Sequence, residues 1–521
     1  MIHLKINNNV ISVPAGTSVL NAAKALGIEI PSMCYLEGNS NHPSCLVCIV
    51  KDKRSGTLFP SCAMPVESDM DIITNDDDVR NARKDALELL MSDHVGDCEA
   101  PCRTACPAFM DIPQMNRLIA SGKHLEAIKV VKEEIALPFI LGHICTAPCE
   151  KVCRRKQVDN PISICLLKRF TALNDTVNHN SFLPRKEFAT NKKIAIIGAG
   201  PAGLACAFHL LKLGHRCILF DSNLEAGGTL LQVSEDEMPK EIINVEVGLI
   251  KSYGAEFRFN VTVTPELFRS EIHKSFDATV FASGDITKSN LSEFGFNSSK
   301  TGLIADSNTY MLDSSGIFAC GSVLHPLKMA VKAVAHGKET AFSVHKFLTG
   351  KSVSNRYDRF NSKFGLLQPS EIIEYLKESV ADDIVTPKGG RLVGFTEEEA
   401  VAEAKRCLYC DCRKLDTCKL RLYSDDYMID RKKYSLGERN TLKKHFQHKS
   451  VVYEPEKCIK CGLCIEITSK NKELTGLTYI GRGFDVRVDI PFNRALGEAL
   501  TNTAIECVNA CPTGAISFKT L

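Results

Sequence analysis

Cysteine supplies most of the chemistry in this chain. Of 521 residues, 23 are cysteine, in tight groups separated by long cysteine-free stretches. The first group is Cys34, Cys45, Cys48 and Cys62. The second is Cys98, Cys102 and Cys106, with His94 just ahead, followed by Cys145, Cys149, Cys153 and Cys165. Then come Cys407, Cys410, Cys412 and Cys418, and finally Cys458, Cys461 and Cys464 with Cys507 and Cys511. The count is odd and residues 1–14 do not read as a secretion signal, so a disulfide framework is not expected. Zinc usually takes paired C-x-x-C units. Several of these groups instead have iron–sulphur spacing. Zinc stays open as the alternative for the first group and for the group at 407–418.

The last group is the easiest to read. KCIKCGLCIEI sets Cys458, Cys461 and Cys464 at ferredoxin spacing, and CVNACPTGAISF ends the pattern with Cys511 before Pro512. In two-cluster ferredoxins the cysteine before proline ligates the cluster of the other motif. The expected ligands are therefore Cys458, Cys461, Cys464 and Cys511. Ile467 and Thr468 stand near where the first motif would carry its own fourth cysteine. A second cluster is not expected there, and Cys507 reads as a remnant.

A different motif lies between the cysteine groups. Residues 194–197 form an apolar strand, followed by the turn Gly198-Ala199-Gly200-Pro201-Ala202-Gly203, a helix-period run and a second strand at 217–220 ending on Asp221. This is G-x-G-x-x-G in its required βαβ context. Gly198 permits the tight turn. Gly200 lets the backbone approach a pyrophosphate seated on the helix N-terminus. Gly203 allows close helix–strand packing, and Asp221 is placed for a ribose hydroxyl.

The elements that must position these residues fill several domains, since 521 residues suggest about three to five. Net charge is only +2, so neither nucleic acid nor an anionic membrane is an expected partner. No apolar run approaches the roughly 18 residues of a membrane span. A cytoplasmic protein is expected. Residues 2–6 and 10–13 alternate like a hairpin, 18–26 reads as a short helix, and DVRNARKDALELLM is an amphipathic helix. Cys206, Cys217 and Cys320 lie in apolar elements and read as core.

IPSMCYLEG, CLVC and LFPSCAMPV resemble the N-terminal ferredoxin domain of the complex I iron–sulphur subunit and of iron hydrogenases. That resemblance implies a [2Fe–2S] cluster on Cys34, Cys45, Cys48 and Cys62. SDHVGDCEAPCRTACPAFMDIP, LPFILGHICTAPCEKVCRR and PISICLLKRF are similar to the helical double-cluster domain of the glutamate synthase small subunit and of dihydropyrimidine dehydrogenase. It implies two [4Fe–4S] clusters that interleave. Cys106, before Pro107, would join Cys145, Cys149 and Cys153, and Cys98 and Cys102 would need two more ligands. The family's upstream cysteine is missing here. His94, spaced as in the His-x-x-x-Cys start of a complex I cluster, and Cys165 are the candidates. RCLYCDCRKLDTC is expected to hold a further [4Fe–4S] cluster on Cys407, Cys410, Cys412 and Cys418.

The same resemblance makes the dinucleotide FAD. Gly228 and Leu230 belong to a second glycine motif usual in flavoproteins, and FDATVFASG with Gly284 and GIFACGS with Gly321 and Ser322 would close the site. Ser322 stands where the family has an acid on the ribityl chain, which weakens the expected grip, with Asp285 as a substitute. The family also inserts a second, NADPH-binding domain between those two strands. Here only residues 285–315 separate them, too short for a βαβ unit and its sheet, and no second G-x-G-x-x-G occurs.

The expected fold is multidomain α/β and α+β. It comprises a β-grasp ferredoxin domain (1–78), an α-helical double-cluster domain (79–173), a Rossmann-like FAD domain (190–350), a linker with the 407–418 cysteines (351–420) and a C-terminal ferredoxin-like domain (421–521). The expected cofactors are FAD, one [2Fe–2S] and about four [4Fe–4S] clusters. No nucleophile or proton-shuttling dyad is apparent, so no catalytic residue is assigned. The implied function is that of an anaerobe-type subunit of an NAD(P)H:ferredoxin oxidoreductase complex, including the electron-bifurcating kind. Nicotinamide would be oxidised on a partner, a complex I-like NADH-oxidising FMN subunit with its small [2Fe–2S] subunit. Ferredoxin or a terminal oxidoreductase would exchange electrons at the other end. The alternatives are a glutamate synthase-like donor subunit and a non-enzymatic relay in a hydrogenase or formate dehydrogenase complex.

Overall fold

The computed structural model describes residues 1–519 except 40–41, 178–180, 286–290, 314, 355–358, 436 and 438. Parts of the stretch 285–315 therefore lie outside the described residues. The chain forms two compact units that cut across the segments read from sequence. The first comprises Met1–Ala100, Arg359–Glu378 and Cys410–Leu521. The second comprises Pro101–Asp358 and Ser379–Tyr409.

In the first unit, strands Ile2–Ile6 and Asn9–Val13 pair antiparallel, with Ile2 opposite Val13. The turn between them needs left-handed backbone, and Asn7 and Asn8 supply it with φ of 49° and 67°. The sheet runs Asn9–Val13, Ile2–Ile6, Asp71–Ile73, Ile49–Asp52, Leu58–Pro60. Alternation puts Leu4 and Ile6 inside, beneath helix Val19–Ala25, whose first turn Ser18 caps through Asn21 N–H. Helix Asp77–Ser92, capped by Asp76, packs against helix Lys419–Asp426. The C-terminal part pairs Val451–Tyr453 with Ile516–Phe518 and packs helix Leu463–Lys470 on Ala504–Ala510.

Residues 359–378 fall in the stretch expected to be a loose linker, and the structure corrects that expectation. Phe364, Leu367 and Tyr375 are buried, and helix Pro369–Leu376 carries Glu371. Its carboxylate accepts from Arg439 Nη2 at 2.7 Å and from the N–H groups of Leu442 and Gln368, so a polar sequence hides a fixed segment. Burial works against the charged form, but those donors overcome it and hold the Glu371 pKa down at about 2.

The second unit packs short helices against a parallel sheet. Among the described residues the sheet order is Ile317–Ala319, Ala278–Phe281, Lys193–Ile197, Arg216–Phe220, Glu256–Arg258, every neighbour parallel. Helix Ala330–Leu348 crosses helix Pro201–Lys212 where Gly337 leaves room for the Ala202 carbonyl. Helix Glu397–Lys405, with a Thr396–Glu399 capping box, lies on Ile112–Ala120. Among the described residues no helix is long and apolar enough to cross a membrane.

Candidate metal centres and nucleotide site

Cys34, Cys45, Cys48 and Cys62 converge and are buried. Cys34 Sγ lies 3.3 Å from Cys45 Sγ, and Cys48 hydrogen-bonds with Cys62. Leu46, at φ 55°, turns the loop back so that Cys45 and Cys48 meet the same space. Hydrogen bonds from Cys45 and Cys62 pull the Cys34 thiol pKa down, and the Cys62 hydrogen bond pulls that of Cys48 down; their partners Cys45 and Cys62 are driven up. Four sulphurs competing for protons in a dry site call for a cationic core. Two pairs of thiols suit a binuclear one, each iron taking two sulphurs.

Cys458, Cys461 and Cys464 stand on a loop and the first turn of helix Leu463–Lys470, and Cys511 closes the end of Ala504–Ala510. The loop turns at Lys460 and Gly462, with φ of 57° and 79°. All four line one cavity with Tyr453, Ile459 and Pro512. Lys460 N–H donates to Cys458 Sγ at 3.3 Å, the kind of N–H···S bond that favours a thiolate ligand. Burial pushes the uncharged Cys458 thiol up to about 12, so a metal would have to supply the charge that deprotonates it. Cys507 is fully buried in the adjoining core, its Sγ 3.9 Å from the Cys464 carbonyl. Among the described residues, no three His, Cys, Asp or Glu side chains converge tightly enough to hold a single ion. Cubane thiolates each bind a different iron and stand further apart than ligands of one ion.

The middle cysteines are grouped differently from the sequence reading. Cys165, at the start of helix Ile164–Val177, hydrogen-bonds with Cys145, and Cys149 interacts electrostatically with Cys106 and Cys145. The helix packs on Pro138–Ile144, which ends against Cys145. Cys165 thus joins Cys106, Cys145 and Cys149 in the place expected for Cys153. Cys153 instead interacts with Cys407, in the same apolar cluster as Cys102. Two buried arginines fix that approach. Arg406 donates to both oxygens of Glu403 at 2.9 Å and to Asp159 Oδ1 at 2.9 Å, and Arg155 donates to the Arg406 carbonyl at 2.8 Å.

The 407–418 cysteines are divided between the two units, Cys407 in the second and Cys410, Cys412 and Cys418 in the first. Tyr409, at φ 46°, turns the chain between Cys407 and Cys410. Beyond it, Cys412 N–H donates to the Cys98 carbonyl at 3.0 Å, and Cys418 interacts with both Cys412 and Cys98. The Cys98 sulphur accepts from Ser362 N–H at 3.4 Å. Cys410 is half-buried. His94 is buried, and Lys457, Arg431 and Glu454 are the charged groups that bear on it most. Burial lowers its pKa to about 3, and its Nδ1 is buried with no hydrogen-bond partner among the described residues. Sequence reading also missed Lys168, one helical turn after Cys165 and 3 % exposed. Burial opposes its charge, but Cys165, Cys145, Cys149 and Cys106 outweigh that and raise its pKa.

The glycine turn divides its labour. A Cβ on Gly203 would meet the Gly198 carbonyl at 2.0 Å, and one on Gly198 would meet the Ala282 carbonyl at 2.4 Å. On Gly200 the nearest atom is Gly228 Cα at 4.0 Å, so nothing in the protein itself requires a glycine there. That is the fit expected of a residue facing a pyrophosphate. Pro201 opens the helix and Ala202 is buried beside Gly321, which has φ 80°. Gly228 begins a short turn that buries Leu230, Gly284 has no described residue within 4 Å on its Cβ side, and Ser322 is half-exposed beside Gly321. The Asp221 carboxylate accepts from Ala199 N–H at 2.7 Å and from Asn223 N–H and Nδ2 at 2.9 and 2.8 Å. Three of its roughly four lone-pair positions are filled, leaving about one for a ribose hydroxyl.

Three family models match parts of the chain. Residues 1–77 match the 2Fe-2S iron-sulfur cluster binding domain family, residues 76–180 match dihydropyrimidine dehydrogenase domain II, 4Fe-4S cluster, and residues 196–256 match the NAD(P)-binding Rossmann-like domain family. Over about a third of its length the chain is similar to oxidoreductase subunits. The beta subunit of an NADPH-Fe(3+) oxidoreductase from Geobacter sulfurreducens is 34% identical over 189 residues, 36% of this chain and 28% of that one. The beta subunit of an NADP(+)-dependent formate dehydrogenase from Moorella thermoacetica is 31% identical over 207 residues, covering 36% and 29%. The glutamate synthase [NADPH] small chain of Bacillus subtilis is 31% identical over 183 residues, covering 35% and 37%. In each case the match spans well under half of the relative's length.

Proposed function

We propose that this chain is a FAD and iron–sulphur electron-transfer subunit of a cytoplasmic NAD(P)H:ferredoxin oxidoreductase complex. Nicotinamide is oxidised on a complex I-like FMN partner accompanied by a small [2Fe–2S] subunit, and ferredoxin or a terminal oxidoreductase lies at the far end. The observation that carries this reading is the convergence of separate thiol sets, two of them in the first unit complete with four cysteines. A bound FAD would exchange electrons in pairs and singly, which suits a site between nicotinamide and one-electron carriers. The protein contributes position: the open face at Gly200, the helix N-terminus behind Pro201 and the remaining acceptor of Asp221.

The ligand sets we propose draw support from the neighbours described for each cysteine. Cys34, Cys45, Cys48 and Cys62 hold two irons. Cys458, Cys461, Cys464 and Cys511 hold one cubane, and Cys106, Cys145, Cys149 and Cys165 hold another. Cys153 and Cys407 belong to a third cubane, and Cys98, Cys412 and Cys418 to a fourth. Support for a partner-bound nicotinamide comes from the direct pairing of Ala278–Phe281 with Ile317–Ala319, strands joined by the short 285–315 stretch. A second reading, in which the Rossmann site takes NAD(P) itself, is favoured by the NAD(P)-binding family match at 196–256. Anaerobic purification followed by acid extraction and metal analysis tests the proposal. It expects FAD as the released nucleotide and about 18 iron atoms per chain. Release of a nicotinamide dinucleotide without flavin, or iron near 10 or below after full reconstitution, refutes it.

A further inference from the structure

We infer that the N-terminal two-iron site and the C-terminal four-cysteine site exchange electrons directly, through one apolar core inside the first unit. The inference rests on the proposed cluster assignments. It starts from a packing fact: Met33, Cys34, Cys45, Val47 and Ile459 are buried in one cluster, and Cys461 packs against it. Two of these residues are ligands of the two-iron site, one is a ligand of the C-terminal site, and Met33 and Ile459 adjoin a ligand in sequence. The loop around Cys34 is also held onto the C-terminal part. Leu36 packs on that part's core, Lys470 Nζ donates to the Gly38 carbonyl at 3.3 Å, and Lys419 Nζ donates to the Ser32 carbonyl at 3.3 Å. Met33, Tyr35 and Leu36 line one side of a cavity whose other side includes Cys511 and Pro512.

Side chains in van der Waals contact carry a tunnelling electron better than a water-filled gap, and coupling falls exponentially with distance. The step is a plain exchange: one site loses one electron, the other gains it, and no bond or proton moves. Both redox partners are the two clusters, so no further reactant is needed. A C-terminal ferredoxin-like part fixed in this way is an internal terminus of the wire and not a swinging carrier. Cys418 belongs to the same apolar core and offers the competing route through the Cys98, Cys412 and Cys418 set.

Microwave power saturation of the two-iron EPR signal in the full dithionite-reduced chain tests the inference. A paramagnet in close contact speeds relaxation. The half-saturation power should fall several-fold in Cys458→Ala and change little in Cys418→Ser. A fall in Cys418→Ser alone, or in neither, overturns the inference. Because either variant could lose more than its own cluster, a redox titration of the unaltered chain gives a second reading. The relaxation rate of the two-iron signal should change at the potential where the C-terminal signal appears. No change at that step overturns the inference while the iron count still supports the cluster assignment; an iron deficit in the unaltered chain instead removes the assignment.

Discussion

Gly200 and Gly203 stand three residues apart in one motif, yet should respond differently to the same methyl group. At Gly203 the added Cβ would lie 2.0 Å from the Gly198 carbonyl, closer than any real contact, and the partner atom is rigid turn backbone. Overpacking of that kind costs about 1–3 kcal/mol or more, so Gly203→Ala should lower unfolding stability and flavin content together. At Gly200 the backbone has φ −80° and ψ −176°, which alanine adopts freely, and the added Cβ meets nothing closer than 4.0 Å. Gly200→Ala should leave the flavin-free chain as stable as before, or firmer by about 0.4–1 kcal/mol from the restricted unfolded chain. The cost appears only when a pyrophosphate approaches. A methyl in its way, at about 1–3 kcal/mol, weakens FAD binding roughly 5- to 150-fold. Flavin titration of the stripped protein by fluorescence quenching, beside denaturant unfolding of both variants, reads the two effects separately. Unchanged FAD affinity in Gly200→Ala, or unchanged stability in Gly203→Ala, would refute the division of roles.

Further outcomes follow from the cysteine groupings and their supports. Cys165→Ser should cost about four iron atoms per chain and one cubane EPR signal, whereas Cys165 as a spare core cysteine would leave iron unchanged. Cys507→Ala should keep the C-terminal cluster signal and Cys511→Ala should lose it; the opposite result reverses the assignment. Arg406→Met removes the partner of buried Glu403 and should destabilise the chain by about 3–5 kcal/mol, with depleted iron at the Cys153 and Cys407 site. A denaturation midpoint within error of the parent would show that this network is not a structural support.

Much of the site could be read where ligands are close in sequence. Cys458, Cys461 and Cys464 lie within one loop and helix turn, and the Cys-Pro at 511 fixes their companion. The glycine turn was legible for the same reason, since strand, turn and helix are consecutive. The middle cysteines were not, because packing decides them. Cys165 reaches Cys145 only because helix Ile164–Val177 lies on Pro138–Ile144. The 407–418 cysteines look like one cage in sequence, yet each end gains neighbours from distant sequence: Cys153 interacts with Cys407, and the Cys98 carbonyl accepts from Cys412 N–H. His94 was read from spacing alone, and its surroundings are set by the distant residues Lys457 and Glu454. Residues 359–378 read as linker because Glu371 and its neighbours are polar, and only the fold brings Arg439 to that carboxylate.

In the proposed role this chain passes on electrons that a partner takes from nicotinamide. Anaerobic stopped-flow absorbance of the purified chain tests it most directly. Mixing with NADH or NADPH should bleach the flavin and cluster bands slowly, dithionite should bleach them rapidly, and an NADH-oxidising FMN partner should restore fast reduction by nicotinamide. Rapid bleaching of the lone chain by either nicotinamide would rule that role out, because the chain would then hold its own nicotinamide site.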